Sequence, residues 1–221
     1  MDVPKNIRDA KKVQLELKKK LKIRPLDKLP IYIAGVDASF TENRIIAAAC
    51  LYKLPDLVCN EHADSIETVS FPYVPGYLSF REGPAIIHAI RKLSIMPDLI
   101  LFDGQGIAHP ESMGIASHIG VLLNIPSIGC AKSRLIGTYT MPDERKGSYS
   151  SLIYKNKIVG SVVRTRYQVK PVFISPGHLI DLKGAIDIVL KCTGKYRLPE
   201  PIRRADRLTR DLKHQYTPKL P

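Results

Sequence analysis

The sequence lacks any ordered spacing among its cysteines. Four are present, Cys50, Cys59, Cys130 and Cys192, with no CxxC or CxxH pair, so neither a structural zinc site nor a disulfide framework is expected. Scattered thiols of this kind suit a reducing compartment. Long apolar runs are missing too. No stretch approaches the ~18 uninterrupted apolar residues of a membrane-spanning helix, and the opening MDVPKNIRDAKKVQ has no apolar segment of the secretory type. A soluble, cytoplasmic protein is the expectation. Repeats and low-complexity tracts are absent. The one glycine-rich segment, DGQGIAHPE (103–111), has Gly104 and Gly106 but carries His109 where a dinucleotide fingerprint needs its third glycine, which excludes a Rossmann-type cofactor site.

What is present is positive charge, and it is unevenly placed. The chain of 221 residues carries a net +13 and has the length of one well-buried domain. Residues 1–30 hold ten Lys/Arg against four Asp/Glu, and residues 191–221 hold nine against three, whereas the residues between hold fifteen against fourteen. A nearly neutral body with two basic ends suggests a polyanion gripped by the termini; basic ends that merely aid solubility are the alternative. The expected organisation is a single domain over 1–221, with a basic helix at residues 5–24 and a basic, weakly packed tail at 199–221.

Along the chain, KKVQLELKKKLKI predicts an amphipathic helix with Leu15, Leu17 and Leu21 on its apolar stripe. IYIAGVDASF (31–40) and RIIAAACLY (44–52) read as antiparallel strands turning through TEN, and residues 56–68 as two shorter strands. REGPAIIHAIRKL (81–93) predicts a helix. PDLILFDG (97–104) is apolar on both faces and belongs in the middle of a covered sheet. A helix is expected to start at Pro110-Glu111, followed by a strand at 125–132, a hairpin turning at Lys155-Asn156, a strand at 171–179 and a closing helix. This order predicts a three-layer α/β domain on a mixed sheet.

Several polar residues interrupt these apolar segments. Asp37 and Asp103 stand at or near the ends of central strands, where a buried carboxylate costs several kcal/mol unless it is paired or bound to a metal. Together they suit a hard cation such as Mg²⁺ or Mn²⁺; each alone could cap a loop amide. Glu82, read at a helix start, suits a capping role in isolation and a third carboxylate in combination, as metal-assisted phosphodiester hydrolysis requires. His109 could orient a water or a phosphate, or be an ordinary loop histidine. Lys132, at a strand end before Ser133 and Arg134, suits a phosphate-facing role. Pro72, Tyr73, Val74 and Pro75 hold an aromatic on a stiff loop that could wedge between bases, although a tyrosine packed on the sheet is the stronger reading of Tyr73 alone.

Taken together, AGVDASF, FPYVPGYLSFREGP, PDLILFDGQGIAHPESMGIASHIG, IPSIGCAKSRLIG, SPGHLI and YRLPEPIRRAD, in order over residues 30–206, resemble the endonuclease V family. The resemblance implies a ribonuclease-H-like fold and a Mg²⁺-dependent DNA repair endonuclease, with Mn²⁺ as substitute. It implies hydrolysis of the second phosphodiester bond 3′ to a deaminated adenine (inosine), in DNA or in inosine-bearing RNA. By position, Asp37, Asp103 and Glu82 would hold metal, and His109 and Lys132 would support the scissile phosphate and water. Tyr73 with Pro72, Val74 and Pro75 would be the wedge, and Gly76, Gly104, Gly106 and Ser133 would border the substrate. Asp206 stands where some members have histidine, so no role passes to it. Two alternatives remain: another ribonuclease-H-like nuclease (a hybrid ribonuclease or junction resolvase), and a non-catalytic nucleic-acid-binding module, against which the three carboxylates argue.

Overall fold

The computed structural model describes residues 3–41 and 43–216. Helix α1 (Ile7–Lys20) precedes an antiparallel meander of β1 (Tyr32–Thr41), β2 (Arg44–Lys53) and β3 (Val58–Thr68). Then come α2 (Leu78–Arg91), β4 (Leu99–Phe102), α3 (Ile115–Leu123) and β5 (Ser127–Ala131). The hairpin β6 (Tyr149–Tyr154) and β7 (Lys157–Val163) leads to β8 (Val172–His178), α4 (Leu182–Lys191) and α5 (Glu200–Tyr216). All eight strands form one sheet, ordered β3-β2-β1-β4-β5-β8-β7-β6, in which β1, β4 and β5 are parallel neighbours.

Side-chain alternation explains the three layers. On β4, Ile100 and Phe102 face α2 and α3, while Leu99 and Leu101 face the core beneath α4 and α5, as the two-residue strand period requires. The β6–β7 turn falls where the sequence puts it, with Lys155 and Asn156 both at positive φ, 48° and 58°, the conformation that two-residue hairpins favour. No described helix is long and apolar enough to cross a membrane.

Five segments differ from the sequence reading. The basic first helix spans residues 7–20 rather than 5–24, and its buried line is Ala10, Gln14 and Leu17, with Leu15 43% exposed. Residues 58–68 form one strand, which accommodates a register shift opposite Leu51/Tyr52 rather than breaking. Helix α2 starts at Leu78, because Phe80 is buried against Phe71 and His118 and holds the extra turn; Glu82 therefore lies in the second turn, past the helix start. Helix α3 starts at Ile115, since Ser112 at φ 60° and the bond from Gly114 N–H to Gly106 O turn the chain through residues 107–113. The expected loose tail is a helix of 17 residues packed on β1 and β2. Residues 217–221 of that tail, and Glu42 of the first turn, lie outside the described residues.

Helix α5 packs because β1 offers it Gly35. A Cβ there would stand 2.1 Å from the carbonyl carbon of Pro201, so the helix backbone lies directly on the strand, and Ile202, Ala205 and Thr209 are buried beneath it. Gly35→Ala is expected to lower stability by about 3 kcal/mol, the upper range for overpacking. Urea unfolding that left the midpoint unchanged would contradict this packing.

Candidate active site

Strand parity gathers the charged residues. Gly35 and Asp37 share the face of Ile33 on β1; Asp103 continues the face of Leu99 and Leu101; Lys132 continues that of Ile128 and Cys130 on β5. Those five apolar residues all belong to the core layer under α4 and α5. Val36 pairs with Phe102, where β4 ends, while β1 runs on to Thr41. Asp37 and Asp103 thus emerge side by side where the sheet opens towards α5.

Helix α5 supplies further partners, of which the sequence reading named only Asp206 and gave it no role. Thr209 donates its hydroxyl to Asp37 Oδ2 at 2.8 Å. Lys132 Nζ lies 2.5 Å from Asp103 Oδ2 and 3.6 Å from Asp206 Oδ1, and Arg210 holds the other oxygen of Asp206 at 2.6 Å. Behind Lys132, Arg197 donates to the carbonyls of Lys132 and Pro171, both at 2.7 Å. Ala205, Asp206 and Thr209 carry the spacing of one helix face, a signal that the basic composition of the segment obscures.

Glu82 completes the cluster from α2, with no hydrogen bond or ion pair to any described residue. Burial, with Asp37 and Asp103 nearby and Arg81 only partly offsetting them, pushes its carboxyl up to about 8. Burial likewise raises Asp37 to about 6, against the Thr209 hydrogen bond and with added repulsion from Asp103 and Asp206. Lys132 is raised as well, which favours its charged form: burial opposes the charge, yet Asp103 and Asp206 hold its ammonium above the ordinary value. As placed, no three His, Cys, Asp or Glu side chains among the described residues stand close enough to hold one metal ion. The donor set is nonetheless all oxygen and short of positive charge, which matches a hard divalent cation in kind.

Beside this cluster lies a cavity of about 420 Å³. Tyr73, Val74, Pro75 and Gly76 form one wall; Asp103, Gly104, Gln105 and His109 meet Lys132, Ser133 and Arg134 on the other. Leu78, Ser79, Met113 and Ile115, which the sequence reading passed over, also line it. Pro72 and Gly106 do not. Pro72 turns towards α1, and Gly106 packs so tightly on β8 that a Cβ would meet Pro176 O at 2.0 Å. Tyr73 is 71% exposed at the rim, so the sheet-packed alternative does not hold.

The rim loop is clamped at both ends. Arg81 donates to Phe71 O at 3.1 Å, its guanidinium 4.6 Å over the Phe40 ring. Gln14 of α1 donates to Gly76 O at 3.1 Å and to Met113 O at 3.3 Å. His109 is buried against the backbone of Gly76, and its Nδ1 accepts from Glu111 N–H at 3.2 Å, which assigns the ring proton to Nε2. Burial holds its pKa below the ordinary histidine value. The side chain of Ser133 is exposed, while its carbonyl accepts from Gln105 Nε2 at 3.1 Å.

Comparison with known proteins now fits this geometry. The family model for endonuclease V matches residues 15–207. The chain belongs to the endonuclease V family. An endonuclease V from Dictyoglomus turgidum is 52% identical over 194 residues, covering 88% of this chain and 85% of that protein. The crystal structure of endonuclease V from Streptomyces avermitilis superposes with a TM-score of 0.93 at 39% identity, over 96% of this chain and 95% of the other. Ciona intestinalis endonuclease V, solved in complex with a 24mer DNA containing an inosine followed by a ribo-adenosine, gives a TM-score of 0.83 at 29% identity, over 95% and 98% of the two chains. Family membership makes this chain a nuclease that hydrolyses phosphodiester bonds, on the ribonuclease-H-like mixed sheet described above.

The raised carboxyls carry a pH signature. Because Asp37 and Glu82 bind protons more tightly folded than unfolded, the stability they contribute is full below their ordinary values of 3.8 and 4.5. It is lost as pH rises through about 6 and about 8. Without divalent cations, Glu82→Gln is expected to melt at least about 3 °C above the parent at pH 8.5, since 1 kcal/mol moves Tm by about 2–4 °C at this size. The gap should close below pH 4.5. Melting curves in EDTA across that range give the check; a gap that is independent of pH would contradict the charge assignment.

Proposed function

We propose that this chain is a DNA repair endonuclease that hydrolyses the second phosphodiester bond 3′ to an inosine and leaves a nick, with Mg²⁺ as its cation and Mn²⁺ as substitute. The observation that carries the reading is the juxtaposition of two features. A cluster of three carboxylates, Asp37, Glu82 and Asp103, of which only Asp103 has an ion-pair partner among the described residues, borders a cavity roofed by an exposed tyrosine on a clamped loop. The inosine-containing DNA bound to the Ciona relative supports the choice of base. The four free cysteines support a reducing compartment, the cytoplasm.

Asp37, Glu82 and Asp103 would hold the metal, which supplies positive charge to the scissile phosphate and favours attack by water. The protein's own groups do the rest. With Asp103 engaged in holding the cation, Lys132 would be free to donate a charge-assisted hydrogen bond to the phosphate. Tyr73, between Pro72 and Val74-Pro75, fills the gap left in the base stack, and the displaced base enters the cavity. Helix α2 begins there without a side-chain cap or an acidic first turn, so the leading N–H groups that precede the bond from Phe80 N–H to Tyr77 O would offer donors to a purine 6-oxo group. His109 braces Gly76, lines the same cavity as Asp103, and would order solvent there. The exposed lysines of α1 and arginines of α5 hold the DNA backbone, so affinity should fall steeply with salt.

One gel assay tests the reading. End-labelled duplexes and RNAs carrying adenine or inosine at a single position are incubated with Mg²⁺ or EDTA. The expected result is a Mg²⁺-dependent nick one nucleotide beyond inosine; cutting indifferent to inosine would refute the substrate assignment. Asp37→Asn and Asp103→Asn are each expected to lower cleavage by at least about 10³-fold with binding retained, in line with loss of a principal electrostatic contribution. Tyr73→Ala should leave the carboxylate cluster intact and reduce the preference for binding inosine over adenine duplexes. Equal preference in parent and variant would remove the wedge role.

A further inference from the structure

One polar pair at the cavity has no part in the account above. Ser79, in the first turn of α2, lines the cavity and is 2% exposed. Its Oγ lies 2.8 Å from Nδ1 of His118 on α3, and no other hydrogen bond of that hydroxyl is present among the described residues. His118 is fully buried, its ring edge-on to Phe80 at 4.7 Å, and its Nε2 has no partner. Burial, with His109 nearby, pushes its pKa down to about 3, so the ring is neutral at any working pH.

A neutral imidazole has one N–H. With the proton on Nε2, a donor would be buried with nothing to receive it, an arrangement that folded proteins almost never tolerate. With the proton on Nδ1, His118 donates to Ser79 Oγ, and only an acceptor nitrogen is left unpaired. That assignment fixes the hydroxyl oxygen and leaves its proton without an acceptor among the described residues, on a residue that lines the cavity.

We infer that Ser79, held by His118, is a specificity-determining donor to the 6-oxo group of the flipped purine. Hypoxanthine presents an oxygen at position 6, where adenine presents an amino group that can only donate. A hydroxyl whose oxygen already accepts from His118 has its proton to give: it gains a hydrogen bond from the oxygen of the first base and finds no acceptor at position 6 of the second. The inference rests on the inosine reading of the cavity and adds a side chain to the backbone donors of α2.

The test is a binding cycle in EDTA, with duplexes carrying inosine, adenine or purine riboside, which has hydrogen at position 6. The parent protein should prefer inosine to purine riboside; if it binds all three equally, the inosine reading itself fails. In Ser79→Ala, the inosine preference over purine riboside should shrink by about three- to tenfold, the range for one net hydrogen bond. Affinity for the adenine duplex, which relies on backbone contacts, should be retained and serves as the internal check on folding. A parent that discriminates and a Ser79→Ala variant that discriminates equally would overturn the inference while leaving the substrate assignment intact.

Discussion

Negative charge concentrated where the central strand β4 ends beside β1 is the constraint around which the rest is arranged. Burying a carboxylate without a partner costs several kcal/mol, and the fold accepts that cost at Glu82 and largely at Asp37. The neighbouring groups limit it. Thr209 bonds Asp37, Lys132 stands between Asp103 and Asp206, and Arg197 fixes the backbone from which Lys132 extends. Thr209 comes from α5, as does Asp206, which holds Lys132 from its other side, and α5 reaches the site because Gly35 lets its backbone lie on β1. A packing detail at the centre of the sheet thus decides the electrostatics of the site.

The rim of the cavity follows a different logic. An exposed aromatic on a free loop would lose much conformational entropy on inserting into a base stack. Here the loop is fixed beforehand by Arg81 on Phe71 and by Gln14 on Gly76. Helix α1 takes part in this clamp, so its role goes beyond a basic arm: its outer lysines face solvent while Gln14 reaches the floor of the rim. His109 shares the task from inside, where its burial and engaged Nδ1 favour a bracing function over an exposed catalytic one.

The elements that could be read from the sequence are those whose apolar period is unambiguous. The run Leu99–Phe102 was placed correctly at mid-sheet, and Lys155-Asn156 as a hairpin turn, because buried runs and left-handed turn pairs each have one structural outcome. Asp37, Asp103 and Lys132 were visible as polar residues ending apolar strands, and parity explains why they converge. The C-terminal helix was not legible because its buried face is made of Ile202, Ala205 and Thr209, too small and too few to outweigh its arginines. Likewise Gln14 and His118 sit in lines where apolar residues are expected, and a polar residue buried for a hydrogen bond leaves no periodic signal. Glu82 reads from the sequence as a helix-start residue and stands in the second turn, since the extra turn depends on Phe80 meeting residues far along the chain.

That extra turn matters for how recognition and hydrolysis are joined. Ser79 and Glu82 are separated by three residues of one helix, roughly 4.5 Å along its axis. The group that senses the base and a carboxylate of the hydrolytic cluster therefore move as one body. The Tyr73 loop is anchored to the same helix through Arg81, and α3, which holds Ser79 through His118, follows directly from the segment bearing Asp103 and His109. A base seated in the cavity thus fixes the position of the DNA backbone relative to the carboxylates at a set distance. On the proposed reading, cleavage at a fixed step from the altered base would then follow from the rigidity of α2, with no reading of the intervening sequence needed.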